Sequence, residues 1–278
     1  MEYLARLEGV SLRLGSFQLQ DVNLAVPGGT VVGLIGENGA GKTTALRCLL
    51  GIRRPDRGEV ILPPGGLADV GYVPDQCPFP GTLTVNQTEA SLAGMFPRWD
   101  GELFEKYRAM FGLERRKEVR KLSRGMGMKL SLAAALAHRP RLLVLDEATA
   151  GLDPVARDEI LDGLRAFVSD EDHGVLLSSH ITSDLEKLCD YVAYLHQGRL
   201  ALWGAKDEVL DTRGKLSCGR ADLDRVDPAL LAGVRVGEFG CQALVADRAA
   251  FAARYPHLPL EKPTLEDIMI FTARGDAL

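Results

Sequence analysis

The stretch that decides the fold lies at residues 31–50 and reads VVGLIGENGAGKTTALRCLL. Its first five residues, Val31–Ile35, form a short apolar run that predicts a buried strand. Residues 36–43 match the pattern Gly-x-x-x-x-Gly-Lys-Ser/Thr, and Thr43–Leu50 continues with residues that favour a helix. A glycine-rich loop between a strand and a helix can turn its backbone N–H groups towards an anion. The sequence therefore predicts a loop that binds the phosphates of a nucleotide.

Each side chain at the end of this loop has an expected task. Lys42 is expected to reach the β- and γ-phosphates, Thr43 to place its hydroxyl on Mg²⁺, and Thr44 to contact the α-phosphate. The other loop residues expected to contact the nucleotide are Gly36, Asn38, Gly39, Ala40 and Gly41. The alternative is a plain glycine-rich turn with a surface lysine, which the flanking strand and helix disfavour.

Regular alternation on both sides of the loop predicts an α/β frame. Residues 3–10 and 17–26 alternate in the manner of antiparallel strands joined by a turn. From Arg141 onwards, strand and helix patterns take turns, which predicts parallel strands with crossover helices. The predicted elements are the strand Leu142–Leu145, the helix Val155–Val168, the strand Val175–Ser178, the helix Ile181–Cys189 and the strand Tyr191–His196.

The region between these two halves is predicted to be a helical insert. Residues 75–97 are rich in Pro, Gly and Thr and are expected to form a long irregular connection. Residues 99–139 return to helical periodicity. The residues expected on one helix face are Leu103, Tyr107, Met110 and Phe111. Beyond residue 206 the segments are short and mixed, and we expect a small C-terminal appendage.

Composition excludes several classes of protein. The chain has 278 residues, 46% hydrophobic and 26% charged, with a net charge of −5. These values are typical of a globular protein and disfavour disorder or a basic nucleic-acid-binding surface. The longest apolar runs fall far short of the roughly 18 residues that a membrane span needs, and no signal-peptide pattern opens the chain. Five cysteines without Cys-x-x-Cys spacing predict reduced thiols in a cytosol.

Two adjacent carboxylates follow a predicted buried strand. Asp146 and Glu147 come directly after Leu142–Leu145. Ligands collect at the carboxyl ends of strands in a parallel sheet, so both side chains should lie near the phosphate loop. We expect Asp146 to bind the metal and Glu147 to accept a proton from the attacking water. The alternative is that both acids only cap the next loop.

Three further motifs occur along the chain. They are Leu122-Ser123-Arg124-Gly125-Met126, Gly151-Leu152-Asp153 and His180 at a predicted strand end. With the phosphate loop and the carboxylates, residues 1–205 resemble the ABC-transporter ATPases. The resemblance implies a P-loop NTPase cassette of the α/β class, with an antiparallel β subdomain, a helical subdomain at about 77–139 and a C-terminal extension at 206–278.

The resemblance also implies roles for residues that would act across a dimer. Two copies would pair head to tail, so that Ser123 and Gly125 of one contact the γ-phosphate held by Lys42 of the other. His180 would hold the attacking water, and Asp153 would couple the two sites. Ser123 and Asp153 also suit helix N-caps, and for Asp153 both interpretations can hold together.

Three positions depart from the family pattern. Met126 stands where the family usually has glutamine. Gln76 is the candidate for the glutamine that contacts metal and water, although Asp75 aligns as readily. The adenine-stacking aromatic is expected near Leu14, and Phe17 is the nearby aromatic that can take that role.

The resemblance finally implies a function and partners. The subgroup most like this chain comprises bacterial exporter subunits for peptides and antimicrobial compounds. We therefore expect an ATPase that uses ATP and Mg²⁺, pairs with itself or a paralogous ATPase, and drives a separate transmembrane permease from the inner face of the membrane. The insert should meet that permease, with Phe79, Phe96 and Trp99 as candidate contacts or as ordinary core. Pro263 or Thr264 should start a closing helix.

Two rival functions are disfavoured by the same residues. An ABC-type ATPase that acts on ribosomes or DNA would carry a second cassette, a long coiled coil or a zinc site, and this sequence has none of these. No nucleic-acid partner is expected. A regulator that binds nucleotide without hydrolysis would lack Glu147 or His180, and both are present.

Overall fold

Thirteen strands and ten helices are present in the computed structural model, which describes residues 3–238 and 240–274. The strands are β1 (Tyr3–Leu14), β2 (Phe17–Pro27), β3 (Val31–Ile35), β4 (Arg57–Ile61), β5 (Val70–Val73), β6 (Leu142–Asp146), β7 (Gly174–Ser179), β8 (Tyr191–His196), β9 (Arg199–Ala205), β10 (Gly214–Cys218), β11 (Leu231–Gly237), β12 (Gly240–Val245) and β13 (Leu260–Glu261). The helices are α1 (Lys42–Leu49), α2 (Val85–Ala93), α3 (Gly101–Met110), α4 (Arg124–Ala137), α5 (Pro154–Phe167), α6 (Thr182–Leu188), α7 (Lys206–Asp211), α8 (Arg220–Leu223), α9 (Arg248–Arg254) and α10 (Leu265–Arg274).

The central sheet positions the phosphate loop. Its strand order is β5-β6-β7-β3-β8-β9, and every neighbouring pair is parallel except β8 with β9. All five residues of β3 and all five of β6 are buried, which is typical of a parallel sheet covered on both faces. The carboxyl ends of β3, β6 and β7 meet at one edge, because Asp146 pairs with Ser178 and Ile35 with Ser179.

A three-stranded antiparallel sheet, ordered β2-β1-β4, packs beside the phosphate loop. The two strands predicted at its start are present and extend to Leu14 and Pro27. Its third strand, β4, was not predicted from the sequence. Leu19, Val22 and Leu24 of β2 share one hydrophobic cluster with residues of α1 and β3.

The expected irregular connection over residues 75–97 is wrong in part, because α2 lies within it. Thr84 caps this helix. Its hydroxyl accepts a hydrogen bond from the Gln87 N–H at 3.2 Å, and the Gln87 side-chain oxygen accepts one from the Thr84 N–H at 2.9 Å. This reciprocal pair follows the Thr-x-x-Gln pattern that favours a helix start.

The predicted apolar face of the next helix also needs correction. In α3, Phe104 is fully buried and lies 5.6 Å from Trp99, measured between ring centroids. Met110, which was expected on the buried face, is 52% exposed. Helix α3 packs on α4, and Phe104 belongs to the buried cluster that includes residues of α4. Phe111 is buried as expected.

The C-terminal segment forms a sheet of its own. Strand order is β11-β12-β10-β13 and all pairs are antiparallel. The chain order β10-α8-β11-β12-α9-β13 is the split β-α-β arrangement of ferredoxin-like domains. Its hydrophobic core is a separate cluster that includes Leu216, Val234, Ala243 and Phe251. The sequence analysis predicted only short mixed segments here.

Helix α10 joins this sheet to the cassette. It packs against β11 and β12 on one side and against α6 on the other. The Leu265 N–H donates to the Glu186 carboxylate at 2.6 Å, and Lys215 pairs with Asp267 at 2.8 Å. Thr264 caps the helix, as its hydroxyl accepts from the Asp267 N–H at 3.0 Å. Within the described residues, no helix has the length and apolarity to cross a bilayer.

A substitution in the C-terminal core tests whether this sheet has its own stability. Phe251→Ala removes a fully buried ring and should destabilise the sheet by about 3–5 kcal/mol. In hydrogen-exchange mass spectrometry, peptides from residues 214–261 should lose protection while β3, β6 and β7 keep theirs. Val236→Ala, at a side chain that is 52% exposed, is the control. Equal loss of protection in both regions would contradict separate stability.

Candidate nucleotide-binding site

The phosphate loop connects β3 to α1. At two of its positions no residue larger than glycine fits. A Cβ atom at Gly41 would lie 2.7 Å from the Phe17 ring and 2.8 Å from Leu19, and the φ angle of Gly41 is +111°. A Cβ atom at Gly36 would lie 2.5 Å from the Leu195 carbonyl oxygen. Close packing against β2 and β8 therefore holds the loop in its shape.

The Lys42 side chain is buried beneath this loop and is only 5% exposed. Its Nζ donates to the carbonyl oxygen of Gly36 at 2.6 Å and lies 3.3 Å from that of Glu37. The same Nζ lies 3.0 Å from Oε1 of Glu147. A buried ammonium group needs such partners, because leaving it unpaired away from water is costly.

A cavity of about 440 Å³ opens over the loop. This volume is within the range of small-molecule sites. Its lining residues are Leu14, Phe17, Glu37, Asn38, Gly39, Gly41, Lys42, Thr43, Thr44 and Glu147. Most of the residues expected to bind nucleotide are thus brought together. Leu14 and Phe17 both line the cavity, so the choice of adenine-stacking residue stays a prediction.

Asp146 connects the loop to the neighbouring strand. Its Oδ1 accepts hydrogen bonds from the Thr43 hydroxyl at 3.2 Å and from the Ser178 hydroxyl at 2.7 Å, and the side chain is only 3% exposed. Ser178 is a site residue that no sequence motif indicated. Only the parallel register of the folded sheet, which sets it opposite Asp146, identifies it. Oxygen donors of this kind suit Mg²⁺, a hard cation.

Glu147 and His180, the two expected catalytic residues, are in direct contact. Nδ1 of His180 lies 2.6 Å from Oε2 of Glu147. The Glu147 backbone is left-handed, with φ of +51°, which is uncommon for a residue with a side chain. Its N–H donates to the carbonyl and hydroxyl oxygens of Ser178, both at 3.1 Å. These bonds hold the carboxylate between Lys42 and His180.

Gln76 and Ser123 do not line the nucleotide cavity. Both line a second cavity of about 260 Å³, together with Asp75, Cys77, Val119, Leu122, Arg124 and Gly127. Asp75 and Gln76 are both exposed at its rim. The structure therefore does not separate these two candidates, and the role of Gln76 towards the metal stays a prediction.

The two candidate dimer residues both cap helices, as the capping alternative expects. The Ser123 hydroxyl accepts from the Met126 N–H at 3.2 Å at the start of α4. Asp153 accepts from the Ala156 N–H at 3.0 Å at the start of α5, and this bond lowers the pKa of its carboxyl. The helices meet here, because a Cβ atom at Gly125 would lie 3.0 Å from that of Ala156.

Arg124, the first residue of α4, reaches the loop after Glu147. Its Nη1 lies 3.0 Å from where a Cβ atom of Gly151 would be, and the φ angle of Gly151 is +68°. Further along α5, Arg157 lies 3.6 Å from Asp184 of α6, a carboxylate that is 2% exposed. The first turn of α5 thus touches both the start of α4 and the helix that follows His180.

Comparisons with known proteins agree with this geometry. A family model described as ABC transporter matches residues 19–150. The bacitracin transport ATP-binding protein BcrA of Enterococcus faecalis is 33% identical over 211 residues, which cover 72% of this chain and 68% of that protein. The ABC transporter ATP-binding protein YtrB of Bacillus subtilis is 32% identical over 193 residues, covering 67% of this chain and 66% of that protein. The chain thus spans about two thirds of the length of these relatives.

Solved structures show the same fold. A structure titled as the ATP-binding subunit of an ABC transporter matches with a TM-score of 0.68 and 28% identity, covering 75% of this chain and 92% of that one. A dimeric bacterial ABC transporter cassette matches with a TM-score of 0.63 at 23% identity, covering 72% and 98%. The α/β P-loop NTPase fold, the motif order and these relatives together show that the chain belongs to the family of ABC transporter ATP-binding proteins, the ATP-hydrolysing subunits of such transporters.

Proposed function

We propose that this chain hydrolyses ATP with Glu147 as the general base and powers a separate membrane subunit. One observation carries the proposal. Lys42, Glu147 and His180 form a continuous set of contacts at the nucleotide cavity, with separations of 3.0 Å and 2.6 Å. A phosphate-binding cation, a carboxylate and an imidazole in direct contact are the groups that hydrolysis of a phosphoanhydride needs.

ATP binding would change the partner of Lys42. In this structure, its ammonium group pairs with the Glu147 carboxylate. The γ-phosphate carries more negative charge and would replace Glu147 as the partner of Lys42. Glu147 would then be free to accept a proton from the attacking water. His180 contacts the same carboxylate through its ring and its backbone N–H, and it would orient Glu147 or the water.

Mg²⁺ would be held by Thr43 and Asp146, whose oxygens lie 3.2 Å apart. Bound there with the nucleotide, the cation supplies charge neutralisation at the phosphate oxygens. Ser178 fixes the Asp146 carboxylate from behind. Gln76, the other expected ligand, lines a different cavity, so its participation requires the loop after β5 to move towards the nucleotide.

The proposal includes a head-to-tail dimer, with itself or with a paralogous ATPase. Ser123 opens the 14-residue helix α4, whose amino end attracts anions. It is exposed and lies outside the nucleotide cavity of its own chain. In the dimer, this helix end would bind the γ-phosphate held by the second subunit. Asp153 lies beside the helix end at the same surface.

An apolar groove of about 190 Å³ supports a membrane partner. It lies between β5 and the helical insert, and its lining residues are Val70, Tyr72, Pro78, Phe79, Leu92, Phe96, Ser131, Ala134, Ala135 and His138. Phe79 and Phe96 line it, whereas Trp99 packs beside the buried Phe104. We propose that a short cytoplasmic helix of the permease binds here, which sets the chain at the inner face of the membrane.

Export of a peptide or antimicrobial compound is the direction and substrate class we propose. Two bacitracin transport ATP-binding proteins, from Enterococcus faecalis and Bacillus licheniformis, are each 33% identical to this chain over their aligned parts. In this proposal the choice of substrate resides in the permease.

The assignment of the base is tested by Glu147→Gln. Loss of the proton acceptor should slow phosphate release by about 10²–10⁴-fold, since general-base catalysis contributes this much. ATP should still bind, and light scattering with MgATP should show a dimer that persists. Glu171→Gln, at an exposed residue outside the cavity, is the matched control. An unchanged rate would exclude Glu147 as the base, and a persistent monomer would count against the dimer.

The role of the buried lysine is tested by Lys42→Ala. Removal of the cation that faces the phosphates should lower ATP affinity at least 10²-fold in calorimetry, a loss of about 2.7 kcal/mol of binding free energy. Lys106→Ala, at an exposed residue of α3, should bind ATP normally. Near-normal affinity of the Lys42 variant would overturn the phosphate-loop assignment.

The adenine contact is tested by comparing Phe17→Ala with Leu14→Ala. An aromatic ring stacks on a base with about 1–3 kcal/mol, so the Phe17 variant should lose more ATP affinity than the Leu14 variant. Affinities for ATP and for inorganic triphosphate, measured side by side, separate base stacking from phosphate binding. The opposite ranking would assign the stacking role to another residue.

A further inference from the structure

Two cysteines of the C-terminal sheet face each other in register. Cys218 of β10 pairs with Cys241 of β12, and the strands are antiparallel. Residues directly opposite in such a pair point to the same face of the sheet, with Cβ atoms about 4.5–5.5 Å apart. Cys241 belongs to the hydrophobic cluster of this sheet, Cys218 packs against that cluster, and both thiols are free. The two sulfur atoms are therefore neighbours on the same face.

The backbone geometry of this pair suits a disulfide bond. Opposed residues in antiparallel strands have Cα atoms about 4.5–5.5 Å apart. Disulfides span Cα separations of about 4.4–6.8 Å. The pairing register continues without a shift from Gly214–Val245 to Cys218–Cys241, so the ladder is regular up to the cysteines. A bond between them needs rotation of both side chains and a small approach of the two strands, because disulfides hold Cβ atoms about 3.5–4.5 Å apart.

Small molecules can reach the pair through Cys218, whereas Cys241 is only 3% exposed. Cys218 and Cys241 both line an open cavity of about 640 Å³ at the end of the sheet. Cys218 is partly exposed, and β13 pairs only with Lys215 and Leu216, so no described strand covers the outer side of β10 at Cys218. On the other side, Cys241 pairs with Val236, whose side chain is 52% exposed.

The remaining cysteines have no such arrangement. Cys48 and Cys189 are buried in the cassette, and burial raises the pKa of both thiols. Cys77 is partly exposed beside Gln76, and among the described residues no other cysteine is paired with it across a strand. Cys77 is thus a single accessible thiol within the same chain.

We propose that Cys218 and Cys241 form a dithiol site that low-molecular-weight disulfides, such as oxidised glutathione, convert to an intramolecular disulfide. The Cys218 thiolate attacks one sulfur of the small disulfide and releases one small thiolate. The Cys241 thiolate then attacks the Cys218 sulfur of the mixed disulfide and releases the second. Two protein thiols are oxidised, the small disulfide is reduced to two thiols, and these take up the two protons.

The bond would join the two central strands of a sheet that packs on the cassette. Strands β10 and β12 lie in the middle of the order β11-β12-β10-β13, and α10 connects this sheet to α6, which begins two residues after His180. Oxidation would therefore crosslink the two central strands of the C-terminal sheet and restrict their relative movement. This inference does not depend on the proposed ATPase mechanism.

The test uses the full chain, without reductant, and oxidised glutathione at pH 8.5. Alkaline pH is chosen because burial, with Cys241 and Asp222 nearby, raises the pKa of the Cys218 thiol. After acid quenching and alkylation, mass spectrometry of the digest should find the peptides containing Cys218 and Cys241 linked, with a combined mass two hydrogens below that of the two reduced peptides. Cys77, the internal control, should stop at a mixed disulfide with glutathione.

Serine variants resolve the order of steps. Cys241→Ser should accumulate the mixed disulfide at Cys218, because the second attack is removed. A wild-type chain that retains a mixed disulfide at Cys218, or that forms a crosslink through Cys77, would overturn the proposal. Phenylarsine oxide gives a second readout that needs no variant, since it condenses with two adjacent thiols and loses one water. Failure of the reduced wild-type chain to bind it at Cys218 and Cys241 would also overturn the proposal.

Discussion

The buried charge of Lys42 is the constraint on which the nucleotide site depends. An ammonium group that is 5% exposed must be paired, and it is paired with two loop carbonyls and the Glu147 carboxylate. The loop carbonyls can reach it only because Gly36 and Gly41 pack without side chains against β8 and β2. A γ-phosphate that replaces Glu147 at this charge would free the carboxylate for catalysis, so nucleotide binding and activation of the base become one event.

The parallel sheet supplies the rest of the site. Its register sets Asp146 opposite Ser178, and Ser178 binds both the Asp146 carboxylate and the Glu147 N–H. Two hydrogen bonds from one serine thus hold the expected metal ligand and the expected base. The left-handed backbone at Glu147 directs the chain away from the strand and towards His180. Positions at the ends of three strands therefore converge without any long flexible loop.

Local patterns in the sequence predicted the elements nearest the nucleotide, since β3, β6 and the phosphate loop combine short apolar runs with glycine and lysine at fixed spacing. Long-range pairing was the missing information elsewhere. Ser178 acts through a register that no local pattern contains, and Cys218 meets Cys241 across strands. The helix α2 was missed although Thr84 and Gln87 form a capping box, because Pro and Gly dominate its surroundings. Strands as short as β13, with two residues, have no period to detect.

The most direct test is a structure of the chain with Mg²⁺ and a non-hydrolysable ATP analogue. In it, Nζ of Lys42 should leave Glu147 and contact the γ-phosphate, Glu147 should turn towards a water in line with that phosphate, and Ser123 of a second copy should contact the same phosphate. A Lys42–Glu147 contact that persists at 3.0 Å beside fully bound nucleotide would contradict this expectation.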